Sequence, residues 1–280
     1  MSGGALPNLV IIGAMKCATT SLHRYLGAHP QICMSREKEL NFFAWETEWA
    51  RGMDWYRSWF DPDAPVRGEA SPSYTNFPIL EGVPERMHGV IPEARLIFLV
   101  RDPLDRLKAH YRHKVAARQE DEPILDVWDD PGRALISRSL YAWQLEQYLP
   151  FYPLEQILVV QQERLLEDRD RELERIFRFL GVDPSFKALR FRYRFHRSAR
   201  KRRLTPAGVR LSELPGLRSL DRLPGLVRWP LEDLVYWPFS DPVPLPELPA
   251  VVEARLLEGF AKDVERLREL TGQAFEGWRV

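Results

Sequence analysis

Residues 9–25 read L-V-I-I-G-A-M-K-C-A-T-T-S-L-H-R-Y, and this stretch decides the fold. Leu9–Ile12 is a short apolar run of the kind that forms a buried strand. Gly13 interrupts it, and a tight loop over Ala14–Ala18 follows. Thr19, Thr20 and Ser21 then open a helix with Leu22, Tyr25 and Leu26 on one face. A strand, a loop and a helix N-terminus in this order bring unpaired backbone N–H groups and the positive end of a helix dipole onto one anion.

The loop departs from the ordinary triphosphate-binding pattern, G-x-x-x-x-G-K-[ST]. Counted from Gly13, Ala18 stands at the second glycine and Thr19 at the lysine, while the hydroxyls of Thr19 and Thr20 remain to hold a phosphate. The one lysine is Lys16, inside the loop. It lies nearer the bond that joins a bound phosphate to whatever is attached to it. The plainer alternative is a βα turn with an incidental lysine. Cys17, beside Lys16 at a helix N-terminus, is either a reactive thiol or a loop filler.

The rest of the chain alternates strand and helix patterns. Gln31–Met34, Leu96–Val100 and Ile157–Val160 read as strands, and Val66–Tyr74 as a short strand running into a loop. Trp49–Phe60, Ile79–Val90, the helix after Pro103, Arg133–Leu149 and Glu163–Gly181 read as helices. Alternation of this kind predicts an α/β fold of P-loop type, three layers α/β/α, around a mostly parallel sheet. The run L-I-F-L-V ends at Arg101, where Asp102 is a good N-cap and Pro103 a good first helical residue. A fixed cation at that strand tip suits a phosphate, and Asp102 is open to a capping or a metal role. Glu69 and Ser71 fall near the end of another strand, where open parallel sheets bind ligands. Lys38-Glu39, ahead of Phe42, Phe43 and Trp45, is either a solvated charge pair or a base beside an apolar surface.

Lys187–Arg203 is densely basic, and Phe191, Tyr193 and Phe195 alternate with Arg190, Arg192 and Arg194. Period two would place rings on one face and guanidinium groups on the other. A solvated face, a nucleic-acid patch and a flap over an anionic ligand all fit. Residues 204–249 hold nine of the 23 prolines, so long helices are not expected there; Trp229, Tyr236, Trp237 and Phe239 make this an aromatic, proline-rich cap. Val252, Leu256, Phe260, Val264 and Leu267 mark a last amphipathic helix that ends at Thr271-Gly272.

Composition narrows the classes. The 280 residues carry 40 basic and 40 acidic side chains, for zero net charge, which argues against a generic polyanion binder. Two cysteines, Cys17 and Cys33, make no disulfide framework. No apolar run approaches the ~20 residues of a membrane span, and Met1–Asn8 lacks the pattern of a signal peptide. The expectation is a cytoplasmic protein with no membrane and no nucleic-acid partner. It is organised as one domain, 1–280: a nucleotide-binding core over 7–181, a basic flap and cap over 187–249, and a C-terminal helix over 250–272.

Together, G-A-M-K-C-A-T-T-S-L, K-E-L-N-F-F, G-E-A-S-P-S-Y and V-R-D-P-L-D-R-L-K-A-H-Y resemble, in order, the sulfotransferases that use 3′-phosphoadenosine-5′-phosphosulfate (PAPS). The resemblance is to the branch with the heparan-sulfate and bacterial small-molecule enzymes, covers residues 7–181, and extends to T-G-Q-A-F-E-G-W near the end. It implies PAPS as donor, 3′,5′-ADP (PAP) as product, no metal and a small-molecule acceptor. The 5′-phosphate would be held by Lys16, Cys17, Ala18, Thr19, Thr20 and Ser21, and the 3′-phosphate by Arg101. Arg197, Arg200, Lys201 and Arg202 would close over it. Lys16 would stabilise the leaving group and Glu39 would be the base, with His23, His110, His113 and His196 as other base candidates. Three positions depart from the family: Ala18 replaces a loop glycine, Ala109 a serine for the 3′-phosphate, and Ala70 a lysine of the sugar-modifying members. The rival classes are a small-molecule kinase and a non-catalytic nucleotide or nucleic-acid binder.

Overall fold

A computed structural model of the chain describes residues 4–117, 134–193, 202–214, 231 and 234–280. Strand β1, Leu9–Gly13, is fully buried and pairs in parallel with two neighbours. It leads into helix α1, Thr19–Leu26, and strand β2, Ile32–Met34. Short helices α2, Glu46–Trp49, and α3, Met53–Arg57, precede β3, Val66–Ala70. Helix α4, Val83–His88, leads to β4, Arg95–Val100, and α5, Pro103–Ala116. Helices α6, Ala134–Ser137, and α7, Tyr141–Glu146, precede β5, Ile157–Gln161. After α8, Gln162–Glu167, and α9, Arg169–Leu180, come β6, Arg202–Leu204, α10, Pro206–Ser212, β7, Ser240–Pro242, and α11, Ala250–Thr271.

The main sheet has the order β2-β3-β1-β4-β5, with every pairing parallel. Connections leave β1 and β4 in opposite directions. Right-handed crossovers therefore put helices on both faces, and the carboxyl edge between β1 and β4 becomes the crevice that binds ligands in such sheets. Burial on both sides explains why β1 and β4 are unbroken apolar runs. An aromatic group with Phe42 stacked on Tyr56 at 4.2 Å packs beside β3. A second apolar cluster joins α5 and α6 to Leu256 and Phe260 of α11.

Several helices are shorter than their sequence pattern, each for a local reason. The 49–60 pattern splits into α2 and α3 at Gly52, whose φ of 83° no helix accommodates. The 79–90 pattern starts only after Gly82, at φ 70°. The 133–149 pattern breaks where Ser139 Oγ donates to Pro103 O and accepts from Arg106. The 163–181 pattern divides at Asp168, whose carboxylate accepts the Arg171 N–H at 3.3 Å and recaps the chain. Gly181 ends α9 at φ 72°, as its position predicts. The alternation from Phe191 does not make a strand: Leu189–Arg192 is a 3₁₀ turn that buries Phe191 and exposes Tyr193. Phe195, Arg194 and the base candidate His196 lie outside the described residues, as do Arg197, Arg200, Lys201 and Trp229. Among the described residues no helix is long and apolar enough to cross a membrane.

Asp102 caps α5 through the Asp105 N–H at 2.9 Å, which settles its role in favour of capping. The C-terminal tail completes it. Arg279 reaches Asp102 Oδ1 from Nη2 at 2.8 Å and Oδ2 from its backbone N–H at 3.1 Å. Burial works to raise the Asp102 carboxyl, but these hydrogen bonds hold it below the usual range. A depressed folded-state value stabilises the protein above the unfolded value and is lost as pH falls through the folded one. Arg279→Ala is therefore expected to cost about 1–2 kcal/mol at neutral pH. In thermal melts that deficit should shrink once Asp102 is protonated.

Candidate active site

The turn between β1 and α1 is pinned at its start by the Ala14 N–H, which donates to Leu99 O of β4 at 2.7 Å. It then passes through left-handed backbone at Lys16, φ 73°, and Ala18, φ 65°. Such geometry costs a residue with a Cβ about 1–2 kcal/mol and explains why glycine would suit position 18 better. The return is an array of donors. Among the described residues, nothing accepts from the N–H groups of Ala18, Thr19 or Thr20. The Cys17 N–H is used internally, to Ala14 O, and that of Ser21 to Ala18 O. The first N–H groups of a helix have no intrahelical partner, and three in a row at the N-terminus of α1, beside the left-handed loop, outline an anion cradle. Cys17 itself is fully buried, with Sγ 3.7 Å from Tyr141 Oη, and burial pushes its thiol up to about 12. It is a loop filler and not a reactive thiol.

On the β3 side stands Glu39. Its N–H donates to Ala70 O at the strand's end, 2.9 Å away, and its Oε1 is 2.5 Å from Lys38 Nζ. The Glu39 side chain is 53% exposed. Glu39 and Asn41 are both left-handed, with φ 67° and 53°. The turn is held from below: Asn41 N–H donates to Ser71 Oγ at 3.0 Å, and Ser71 Oγ donates to Glu69 Oε2 at 2.6 Å. Glu69 is fully buried and also accepts from Tyr56 at 2.6 Å and Tyr74 at 2.8 Å. Burial raises its carboxyl above the ordinary value, against the pull of the three hydroxyls. Glu69 therefore organises the wall that carries Glu39 and does not itself face the crevice.

On the β4 side Arg101 is half-buried, with one loose contact to Asp105 at 3.4 Å. Its N–H donates to Tyr141 Oη, the hydroxyl that also touches Cys17, so one tyrosine joins the loop to the arginine. Below it α5 carries more cations. Arg106 is completely buried, donating to Ser139 Oγ and Leu135 O and facing His110 Nδ1 at 3.3 Å. Arg112 is 7% exposed, and its Nε has no hydrogen-bond partner among the described residues. Burial, then the charge of Arg101, lowers its pKa. Ala109 lies on this helix with no hydroxyl to offer. Neither neighbour is placed to replace it: Lys108 pairs with Glu253 at 2.9 Å, and His110 turns its Nδ1 to Arg106.

The basic segment is tied down at its start, where Tyr25 of α1 donates to Tyr193 O at 2.6 Å. At its end Arg202 belongs to the β6–β7 ribbon. It donates to Ser240 Oγ at 2.8 Å and stacks over Trp237 at 4.1 Å, while β6 rests against α5. Among the described residues no group of three His, Cys, Asp or Glu side chains comes together.

The profile of the Sulfotransferase domain family matches residues 6–201. The chain belongs to this family. Heparan sulfate glucosamine 3-O-sulfotransferase 5 of Mus musculus is 28% identical to this sulfotransferase over 192 residues, covering 64% of this chain and 54% of that one. The bifunctional heparan sulfate N-deacetylase/N-sulfotransferase 2 of Bos taurus is 28% identical over 209 residues, 64% of this chain and 22% of that one. The chain thus spans about half, or less, of the length of these curated relatives. A solved sulfotransferase from Alicyclobacillus acidocaldarius superposes with a TM-score of 0.68 at 24% identity, over 99% of this chain and 100% of that one, and shares the fold.

The sulfotransferase fold brings Glu39, the Lys16 loop and Arg101 onto one sheet edge, in the order of β3, β1 and β4. No motif marks out Arg112, one of several cations on the helix after Pro103, or Arg138, which reaches the loop at Met15 from the break between α6 and α7. Among the histidines, His23 donates from Nε2 to Ser35 O at 3.1 Å and is held down to about 4 by burial and by Lys38. Stability from its neutral form is complete above its unfolded value near 6.5 and is lost as pH falls toward 4. Chemical denaturation of His23→Gln from pH 7 to 4 should show a shallower acid loss than the parent, by about 3 kcal/mol at most.

Proposed function

We propose that this sulfotransferase moves the sulfuryl group of PAPS to a hydroxyl or amine of a small-molecule acceptor. The observation that carries the reading is the row of N–H groups at Ala18, Thr19 and Thr20 with no acceptor among the described residues, on the sheet edge that also carries Lys16 and Arg101. The 5′-phosphate would take these N–H groups and the Thr19 and Thr20 hydroxyls. The 3′-phosphate would take Arg101, with Arg112 beside it. Orientation of the donor this way leaves its sulfur toward the Glu39 wall.

The acceptor heteroatom attacks sulfur as the bond from sulfur to the bridging oxygen breaks. The bond's electron pair stays on the PAP phosphate, where the Lys16 ammonium neutralises it, and the acceptor proton passes to Glu39. The Lys38 contact keeps that carboxylate aimed. A small acceptor is favoured by Ala70, which offers no cation for a sulfated polysaccharide, and by the aromatic cap, where Trp237 and Phe239 are exposed. Thr19 in place of lysine weighs against a kinase.

Calorimetry with PAP, alongside turnover of labelled PAPS with phenols, alcohols and amines, tests the reading. Lys16→Ala should lower kcat by about 10²-fold or more. Arg101→Ala should chiefly weaken PAP binding, and Glu39→Gln should slow turnover with PAP affinity intact. A protein that ignores PAP but binds ATP with magnesium would be a kinase instead.

A further inference from the structure

Arg138 is the cation of this edge that the donor reading leaves without a task. It stands in the break between α6 and α7. Its Nε donates to Asn76 Oδ1 at 2.6 Å, and its Nη1 lies 2.6 Å from Met15 Sδ, one residue before Lys16. Among the described residues no carboxylate pairs with it, and its remaining nitrogen, Nη2, makes no hydrogen bond. The side chain is largely withdrawn from solvent: burial first, and Arg106 second, bring it down to about 10, while Glu39 is close enough to raise it. His110 feels both Arg138 and Lys16. Arg138 thus touches the loop that would hold the leaving group, at Met15, and lies within electrostatic reach of the carboxylate that would take the acceptor proton.

A guanidinium is fully charged in a protein and costly to bury without a counter-charge. Asn76, itself buried, fixes one edge of the fork and leaves the other open. That arrangement leaves one N–H edge available to an anionic group beside the loop.

We propose that Arg138 binds the non-bridging oxygens of the sulfuryl group during transfer, holding the group in line between the acceptor and the bridging oxygen. The assignment rests on PAPS being the donor. No bond to Arg138 forms or breaks; its free N–H edge donates to oxygens whose negative charge is carried through the transition state. Asn76 is then a positioning residue that acts through Arg138.

The comparison of PAP with PAPS isolates this role, because PAP lacks the sulfuryl group. Arg138→Gln, Arg138→Lys and Asn76→Ala are compared with the parent by calorimetry against PAP and PAPS and by turnover. Arg138→Gln should bind PAP within about twofold of the parent, bind PAPS more weakly, and lose about 10²-fold in kcat. Arg138→Lys should recover part of that loss, and Asn76→Ala should move in the same direction by less. Equal weakening toward PAP and PAPS would make Arg138 a strut for the loop and overturn the proposal, as would an unchanged kcat. If Arg138→Gln does not fold, the same split is read from Arg138→Lys and Asn76→Ala, where an unchanged PAPS-to-PAP ratio and kcat overturn it. A parent protein that does not bind PAP fails the donor reading itself, and this proposal with it; PAP binding with an unaltered ratio fails this proposal alone.

Discussion

The architecture depends on backbone donors that the protein does not satisfy internally. The N–H groups of Ala18, Thr19 and Thr20 point out of the first turn of α1 with no acceptor among the described residues. Partial burial of these groups limits the water that can replace an acceptor, and left-handed Lys16 and Ala18 add strain. These costs are tolerable because the loop grows out of the most buried part of the molecule. Every residue of Leu9–Ile12 and Leu96–Val100 is inaccessible to solvent. The stiffness of β1 and β4 and the Ala14-to-Leu99 bond hold the loop in a shape it would not keep alone.

The wall that carries Glu39 is built on the opposite principle. There the buried group is a carboxylate, and it is over-supplied with donors: Tyr56, Tyr74 and Ser71 all end on Glu69. Burying such a charge is acceptable only when it is fully hydrogen-bonded. Through Ser71 the same network fixes the Asn41 N–H, and with it the pair of left-handed residues, Glu39 and Asn41, that turns the chain at the crevice. Of the five non-glycine residues with positive φ among the described residues, four sit in the loop or in this turn. Strain gathers where geometry has to be imposed.

The sheet, the loop and the order of elements were legible in the sequence because strand and helix periods are local properties. Leu9–Ile12, Leu96–Val100 and Ile157–Val160 each became a strand of the predicted kind. Helix lengths were less legible, since period alone does not register a cap. Gly52 and Asp168 stop helices whose apolar spacing runs on through them. Alternation misled at Phe191, where packing against Phe177 and Phe186 favours a 3₁₀ turn over an extended strand. Arg112 and Arg138 were illegible as site residues. Each is one arginine among many in the sequence. What distinguishes them is that, among the described residues, neither forms an ion pair while both are largely withdrawn from solvent, and that is decided by the fold.

Around Arg101 the neighbouring acids are engaged by the C-terminal tail. Two acids, Asp102 and Asp105, follow Arg101 closely enough to neutralise it. Arg279 takes both: its Nη2 is 2.8 Å from Asp102 Oδ1 and 2.5 Å from Asp105 Oδ1, whereas Arg101 is left with a 3.4 Å contact. Glu163 is drawn off in the same way, accepting from the Asp102 N–H at 3.0 Å and from Trp278 Nε1 at 3.3 Å. An arginine at a strand tip is useful to a phosphate only while its own acids are engaged elsewhere. The last residues of the chain, far from the loop in sequence, thereby keep the β4 side of the crevice positive.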